Sequence, residues 1–168
     1  LILFCVKLFE EHEDIKKIYH NNFKYILVDE FQDTNFIQNK WLNLLVNSKK
    51  NICCVGDDDQ SIYSWRGAEI KNFLTFDKIY ENCKVFKLEQ NYRSTKNILE
   101  TASHLISNNS NRVGKKLWSS SNQGDLVKLN CYRTGKEEAQ GISDIIENKI
   151  KKKYSLNNVS ILVRAIYQ

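Results

Sequence analysis

Two adjacent carboxylates follow a short apolar segment near the start of the chain. The segment 25–28 (YILV) runs directly into Asp29 and Glu30. A short apolar run rich in β-formers is typical of a strand buried on both faces of a parallel sheet, and ligands of such sheets bind beyond the carboxyl ends of the strands. In a nucleotide hydrolase, Asp29 would hold a hydrated Mg²⁺ and Glu30 would orient or deprotonate the attacking water. The alternative is a strand that ends in a solvated acidic turn.

Polar side chains follow two further predicted strands. The apolar run 52–55 leads into an acidic loop that ends at Gln60, and the run 85–88 leads to Tyr92 and Arg93. Any one of these strand ends could be a surface turn. Three of them in order along the chain indicate a common site.

An aromatic loop follows the acidic loop directly. Tyr63, Trp65 and Arg66 place two rings and a guanidinium within four residues. Such groups stack on exposed nucleic-acid bases without regard to sequence. The alternative for Trp65 is a core position, which its place between Ser64 and Arg66 disfavours. Five residues separate Gln60 from Trp65, so the span is at most about 17 Å.

Apolar periodicity places these loops in an alternating series of strands and helices. The class is therefore α/β with parallel strand pairing. The pattern predicts helices over about 1–20, after an N-cap at Thr34, around 70–74, after an N-cap at Ser94 and over 139–150. It predicts strands at 25–28, 52–55, 85–88, 126–132 and 159–163.

Several long segments resemble the motifs of one family, the UvrD/Rep/PcrA-type superfamily 1 DNA helicases. ILVDEFQDTN resembles motif II, VGDDDQSIYSWRGA resembles motif III, and LEQNYRST resembles motif IV. GKKLW and SILVR resemble later landmarks, so the likeness covers essentially the whole chain.

The resemblance implies parts of two RecA-like motor domains with the P-loop NTPase fold, in which helices flank parallel sheets. Residues 1–22 would end an inserted helical subdomain. Residues 23–86 would form the C-terminal part of the first motor domain, and residues 87–168 the N-terminal part of the second. The N-terminal half that carries the P-loop would be absent.

The resemblance also implies a role for each site residue. In this family two motor domains clamp ATP and walk 3′→5′ along single-stranded DNA. Asp29 would bind Mg²⁺, and Glu30 would be the catalytic base. Gln60 would contact the γ-phosphate or the attacking water. Arg93 would act as an arginine finger, and Tyr92 would stack on adenine. The residue-level alternative for Arg93 is a surface cation beside a helix start.

The partners implied are single-stranded DNA, duplex junctions and the missing parts of the same polypeptide, in DNA repair or replication. No GxxxxGK[ST] segment occurs in the sequence. Because that segment supplies the phosphate cradle, we expect the isolated chain to be inactive. Two alternatives stay open: a helicase-like subunit of a nuclease complex, and a non-catalytic DNA-binding relative. The oligomeric state does not follow from these residues.

The amino-acid composition says more about the cellular compartment of the protein than about its reaction. The net charge of +5 permits an anionic partner but does not require one. The five Cys include no CxxC pair, so neither a disulfide framework nor a zinc site is indicated. We therefore expect a reducing intracellular compartment: cytoplasmic in a bacterium, nuclear or organellar in a eukaryote. The opening LILFCVKLF is too short to span a membrane.

Overall fold

The chain opens with two short helices, α1 (Ile2–Glu11) and α2 (Glu13–Asn22), where the sequence pattern indicated one. The computed structural model describes residues 1–110 and 112–165. His12 leaves the helical conformation between the two helices, with φ −126° and ψ 86°. Two acidic residues occupy the first turn of α2, where they complement the positive end of its dipole and favour a new helix start.

The central element is a parallel pair of strands, β1 (Ile26–Val28) and β2 (Ile52–Cys54). Ile26 lies opposite Ile52, and Val28 lies opposite Cys54. The ladder continues past both strands, because the Val55 N–H donates to the Val28 carbonyl at 2.8 Å. The predicted parallel pairing of these two segments is therefore confirmed.

The expectation that this pair is buried on both faces was wrong. Leu27 is 79% exposed and Cys53 is also exposed, because side chains alternate along a strand and the described elements cover only one face. On the covered face, burial raises the pKa of the Cys54 thiol to about 12. That thiol stays uncharged at neutral pH and packs as a small hydrophobe.

Helix α3 (Phe36–Leu45) begins one residue later than expected. Asn35, and not Thr34, is its N-cap: the Asn35 side chain accepts from the Gln38 N–H, and the Gln38 side chain accepts from the Asn35 N–H. This reciprocal pair is a capping box. The Thr34 hydroxyl instead donates to the Phe31 carbonyl at 2.7 Å, inside the preceding turn.

A cluster of aromatic rings fixes the chain after β1. Phe31 is 1% exposed and meets the rings of Phe73 and Phe76 at centroid distances of 6.5 and 5.4 Å. These two rings come from α4 (Ile70–Leu74) and α5 (Phe76–Ile79). The cluster therefore packs two later helices against the end of the first strand.

The third predicted strand is not formed. Residues 85–88 belong to no helix or strand, and the apolar side chains of Val85, Phe86 and Leu88 are exposed. The nearest pairing is a single parallel bridge between Gln90 and Trp118. Without a neighbouring ladder an extended run does not become a strand, whatever its side-chain pattern.

Helix α6 (Lys96–Ile106) follows this region, with Thr95 at its N-cap in place of the expected Ser94. The Thr95 side chain makes no capping hydrogen bond. Residues up to Asp125 belong to one compact unit, and a second unit begins at Leu126.

In the second unit, the predicted helix is confirmed as α7 (Gly135–Lys151). Its N-cap is Thr134, which accepts from the Glu137 N–H. The predicted strands at 126–132 and 159–163 have no strand pairing within the described residues, and Leu129 and Leu162 are exposed. No helix in the described part of the chain is long and apolar enough to cross a membrane.

Candidate functional site

The first strand ends in a strained turn that carries the acidic pair. Glu30 has left-handed backbone angles, φ 50° and ψ 42°, which cost a non-glycine residue free energy. The Glu30 N–H donates to Asp29 Oδ1 at 2.9 Å. Both side chains are exposed at the carboxyl end of β1, where the sequence predicted them.

A buried amide joins the first strand end to the second. Gln32 is 0% exposed, and both ends of its side chain are hydrogen-bonded. Its Nε2 donates to Glu30 Oε2 at 2.7 Å, while its Oε1 accepts from the Asp57 N–H at 3.0 Å. The sequence analysis assigned Gln32 no role. The sequence offered one sign of this role, which is that Gln32 directly follows the large apolar Phe31.

The approach of this amide requires a glycine at the end of β2. A Cβ at Gly56 would lie 2.6 Å from Gln32 Oε1 and 2.8 Å from the Phe73 ring. The amide cannot move freely because it is hydrogen-bonded at both ends, and the Phe73 ring packs beside the buried Phe31 ring. Gly56 therefore lets the backbone of the second strand pass close to the bridging side chain.

The acidic loop after Gly56 is organised by its own first carboxylate. Asp57 Oδ1 accepts from the Asp59 N–H at 3.0 Å, and Asp57 Oδ2 accepts from Gln60 Nε2 at 2.8 Å. Oxygens of Asp57, Asp58 and Asp59 lie within 4.8 Å of one another. Three carboxylates this close repel one another unless cations offset their charge.

Two cations from a later segment supply that charge. Arg112 donates to both carboxylate oxygens of Asp59, through Nε at 2.8 Å and Nη2 at 2.5 Å. Lys115 pairs with Asp57 and lies 3.6 Å from Asp59 Oδ2. The sequence analysis missed both cations. The three consecutive acids were the signal that basic partners must exist elsewhere.

The charge on Asp57 is stabilised in the folded chain. Partial burial alone would raise the pKa of the Asp57 carboxyl, but hydrogen bonds from Lys115 and Gln60 outweigh it and hold the pKa below its ordinary value. A carboxyl whose pKa falls on folding stabilises the fold above its unfolded pKa, and this contribution is lost as pH falls through the lowered folded value. Asp57 therefore stays ionised at neutral pH.

Tyr92 and Arg93 are less directly connected to these acids. Both side chains are exposed, and the Tyr92 hydroxyl donates to Gln90 Oε1 at 2.8 Å. The Arg93 N–H donates to Asn91 Oδ1 at 3.1 Å. Within residues 1–110 and 112–165, the Arg93 guanidinium makes no hydrogen bond or ion pair. The role predicted for it stays a prediction.

The aromatic loop forms a compact exposed group. The Tyr63 and Trp65 ring centroids are 6.4 Å apart, and the Arg66 guanidinium lies 4.6 Å from the Trp65 centroid and 5.4 Å from the Tyr63 centroid. Trp65 is 69% exposed, so it is not a core residue of this unit. The loop ends at Gly67, whose φ of 85° suits glycine. The side chains of Tyr63, Trp65 and Arg66 are thus all exposed to solvent.

Comparison with known proteins agrees with these features. A model of the UvrD/REP helicase N-terminal domain matches residues 1–81, and a model of the UvrD-like helicase C-terminal domain matches residues 86–168. The chain belongs to the UvrD/Rep-type helicase family.

Individual relatives align over nearly the whole chain. It is 47% identical over 169 residues to a probable DNA helicase II homolog of Rickettsia conorii, covering 100% of this chain and 26% of that protein. It is 44% identical to the ATP-dependent DNA helicase PcrA of Bacillus subtilis, covering 98% of this chain and 22% of that protein. It is 42% identical to DNA helicase II of Haemophilus influenzae, with 98% and 23% covered. The chain thus spans about a quarter of the length of these relatives.

The buried amide gives a direct test of the site's construction. Replacing Gln32 with Ala should lower the free energy of unfolding by about 1–3 kcal/mol, because the Asp57 N–H and the Glu30 carboxylate lose their partner. Urea unfolding of the chain, followed by circular dichroism, measures this loss. Gln123→Ala is the matched control, since Gln123 makes an exposed amide hydrogen bond with Asn97. Equal losses in the two variants would contradict the bridging role.

Proposed function

We propose that this chain is the part of an ATP-dependent DNA helicase where two motor domains meet. The whole protein would hydrolyse ATP, translocate 3′→5′ on single-stranded DNA and unwind duplex DNA, in repair or replication. The observation that carries the proposal is the hydrogen-bonded series from Glu30 through Gln32 and Asp57 to Gln60, five residues before Trp65. The names of the relatives, DNA helicase II and ATP-dependent DNA helicase PcrA, support it.

The proposed domain organisation follows the family. Residues 1–22 end an inserted helical subdomain, residues 23–86 belong to the first RecA-like motor domain, and residues 87–168 belong to the second. The exposed apolar segments at 85–88 and 159–163 support this division, because they have strand character without strand partners in the described residues.

Asp29 is the residue best suited to hold Mg²⁺ beside ATP. Its side chain is exposed at the strand end, and among the described residues it accepts one hydrogen bond, at Oδ1 from the Glu30 N–H. Carboxylate oxygen is the ligand that Mg²⁺ prefers, and one or two carboxylates suffice because the ion keeps several waters. The carboxylates at 57–59 are less suitable, since Arg112 and Lys115 already neutralise two of them. Bound at Asp29, the ion would offset charge on the phosphate oxygens.

Glu30 is the proposed catalytic base for the attacking water. The Gln32 amide donates to Glu30 Oε2, which fixes the carboxylate and leaves Oε1 to accept a proton. Gln60 is tied to Asp57 and would contact the γ-phosphate or the attacking water. The exposed Arg93 would stabilise charge on the transferring phosphoryl group, and Tyr92 would stack on adenine.

The aromatic loop is the proposed DNA contact. Tyr63, Trp65 and Arg66 offer stacking faces and a cation, which suits binding of successive bases in single-stranded DNA. Because Gln60 and Trp65 are so close along the chain, a movement of Gln60 on phosphate release would reach the DNA contact with few intermediates. This is the proposed coupling between hydrolysis and translocation.

By itself, the 168-residue chain should neither bind ATP tightly nor hydrolyse it. The reason is that no segment of its sequence matches the glycine-rich phosphate cradle. Phosphate release by the purified chain, with and without single-stranded DNA, is the measurement, and the chain carrying Glu30→Gln supplies the background. DNA-stimulated turnover above that background would refute the prediction.

In the full-length protein, Glu30→Gln should reduce ATP turnover by about 10²–10⁴-fold, because the amide cannot accept the water's proton. Nucleotide affinity should change little, since Glu30 acts on the water and not on the nucleotide. Steady-state ATPase and equilibrium binding of a fluorescent ATP analogue measure the two quantities. Glu69→Gln, an exposed substitution outside the acidic pair, should leave both unchanged. An unchanged turnover in Glu30→Gln would remove Glu30 from the mechanism.

Trp65→Ala in the full-length protein should weaken binding of single-stranded DNA by roughly 5- to 150-fold, the equivalent of about 1–3 kcal/mol for one stacked base. DNA-stimulated ATPase and unwinding should fall more than the basal rate. Trp65→Phe should retain most of the affinity because it keeps a stacking face. Tyr154→Ala, which removes a comparably exposed ring, is the control. If Trp65→Ala leaves DNA stimulation intact, the stacking role is wrong.

A further inference from the structure

A basic segment, residues 112–118, lies between two parts of the proposed ATP site. Its side chains contact the acidic loop that ends at Gln60. Its backbone contacts the residues that lead to Arg93. The acidic loop and the basic segment match different family models. The acidic loop falls in the match to the N-terminal domain, and the basic segment falls in the match to the C-terminal domain.

The contacts with the acidic loop are charge-assisted and mostly shielded from solvent. The side chains of Arg112, Lys115, Asp57 and Asp59 are only 14 to 25% exposed. Arg112 meets Asp59 through two hydrogen bonds, a geometry that fixes orientation as well as distance. The Val113 N–H adds a hydrogen bond to Asp58 Oδ2 at 2.6 Å. All three acids of the loop are therefore held by one short segment.

The other edge of the segment pairs with the chain just before Arg93. The Lys116 N–H donates to Glu89 Oε1 at 2.9 Å, and the Trp118 N–H donates to the Glu89 carbonyl at 3.0 Å. The Asn91 N–H donates to the Trp118 carbonyl at 2.7 Å. Asn91 in turn accepts from the Arg93 N–H. An unbroken series of contacts thus links the basic segment to the backbone of Arg93.

We propose that Arg112 and Lys115 are positioning residues that set the acidic loop, and with it Gln60, relative to Arg93. Asp57 connects the cations to Gln60: its Oδ1 forms an ion pair with Lys115, and its Oδ2 accepts a hydrogen bond from the Gln60 amide. This inference rests on the proposed function, in which Gln60 and Arg93 act on the same γ-phosphate. In this proposal both cations act through the carboxylates that they pair with and do not bind the nucleotide. Their effect is on the geometry of the two residues that do.

A positioning role has a distinct kinetic signature. Misplacement of a catalytic group by about 1 Å can cost about 10²-fold in rate, whereas the nucleotide contacts that determine affinity stay in place. Loss of Lys115 should therefore lower kcat and leave KM for ATP and the affinity for single-stranded DNA nearly unchanged. A residue that bound ATP or DNA itself would change KM or the DNA affinity instead.

The test compares adjacent lysines in the full-length protein. Lys115→Gln should lower the DNA-stimulated kcat by roughly 10- to 100-fold, with KM for ATP changed by less than about twofold. Lys116→Gln is the matched control, because the structure gives Lys116 only a backbone contact in this network. Lys115→Arg keeps the charge and should restore most of the activity. Hydrogen exchange of the backbone amides at 58–60 should be faster in Lys115→Gln than in Lys116→Gln.

The outcomes separate this inference from the proposed function. If the wild-type protein has DNA-stimulated ATPase but the two glutamine variants match in kcat and exchange, the positioning role is overturned and the helicase function stands. A loss that appears in KM or DNA affinity also overturns it. If the wild-type protein has no ATPase while Lys115→Gln still loosens the loop, the contact stands and the proposed function fails. A selective loss of kcat with faster exchange supports both.

Discussion

One buried amide holds together the part of the molecule in which chemistry is expected. Gln32 binds Glu30 with its nitrogen and the Asp57 backbone with its oxygen, at the point where the two paired strands end. A buried amide with only one partner would be costly, so the two strand ends are constrained to one separation. The glycine at position 56 exists at this junction because any side chain there would collide with the amide.

The strain at Glu30 is tolerated because the neighbouring residues leave it no alternative. Phe31 is buried against two rings from later helices, and Gln32 is buried beside it. Moving Glu30 to a relaxed conformation would pull both of these side chains out of place. Strained non-glycine residues persist in proteins when the surrounding structure determines them in this way. The acidic pair therefore has a defined direction even though its side chains are exposed.

The sequence was most informative where chemistry or local periodicity left a signature. The apolar runs before Asp29 and Asp57 predicted the parallel pair correctly, and the spacing of apolar residues predicted α7. The N-caps at Thr34 and Ser94 were each misplaced by one residue, because several cap-forming side chains stand in succession and only the backbone selects one. The predictions of strands at 85–88, 126–132 and 159–163 were wrong for a different reason. A strand forms only beside a partner strand, and the pattern of one segment does not specify that partner.

The residues that the sequence analysis missed are those that act across long separations. Gln32 reaches Asp57 over 25 positions, and Arg112 reaches Asp59 over 53 positions. Local patterns carry no information about such pairs. The sequence offered only an indirect clue to the Arg112–Asp59 pair. Consecutive acids in a folded loop need cations nearby, and a basic stretch in a polar segment can supply them.

The side chains of the two loops are held by different kinds of contact, and this difference suits the work proposed for them. The acidic loop is fixed by its own Asp57, by a buried amide and by two cations. The side chains of the aromatic loop are exposed, and the Arg66 guanidinium lies over the rings of Tyr63 and Trp65. A residue that responds to a phosphate must be held accurately, since small displacements change the rate steeply. A surface that accepts any base in turn has to adapt, and stacking tolerates such variation. In the proposed mechanism, the short peptide between Gln60 and Trp65 joins the residue that responds to the phosphate to the surface that binds DNA, so displacement of Gln60 would alter the position of Trp65.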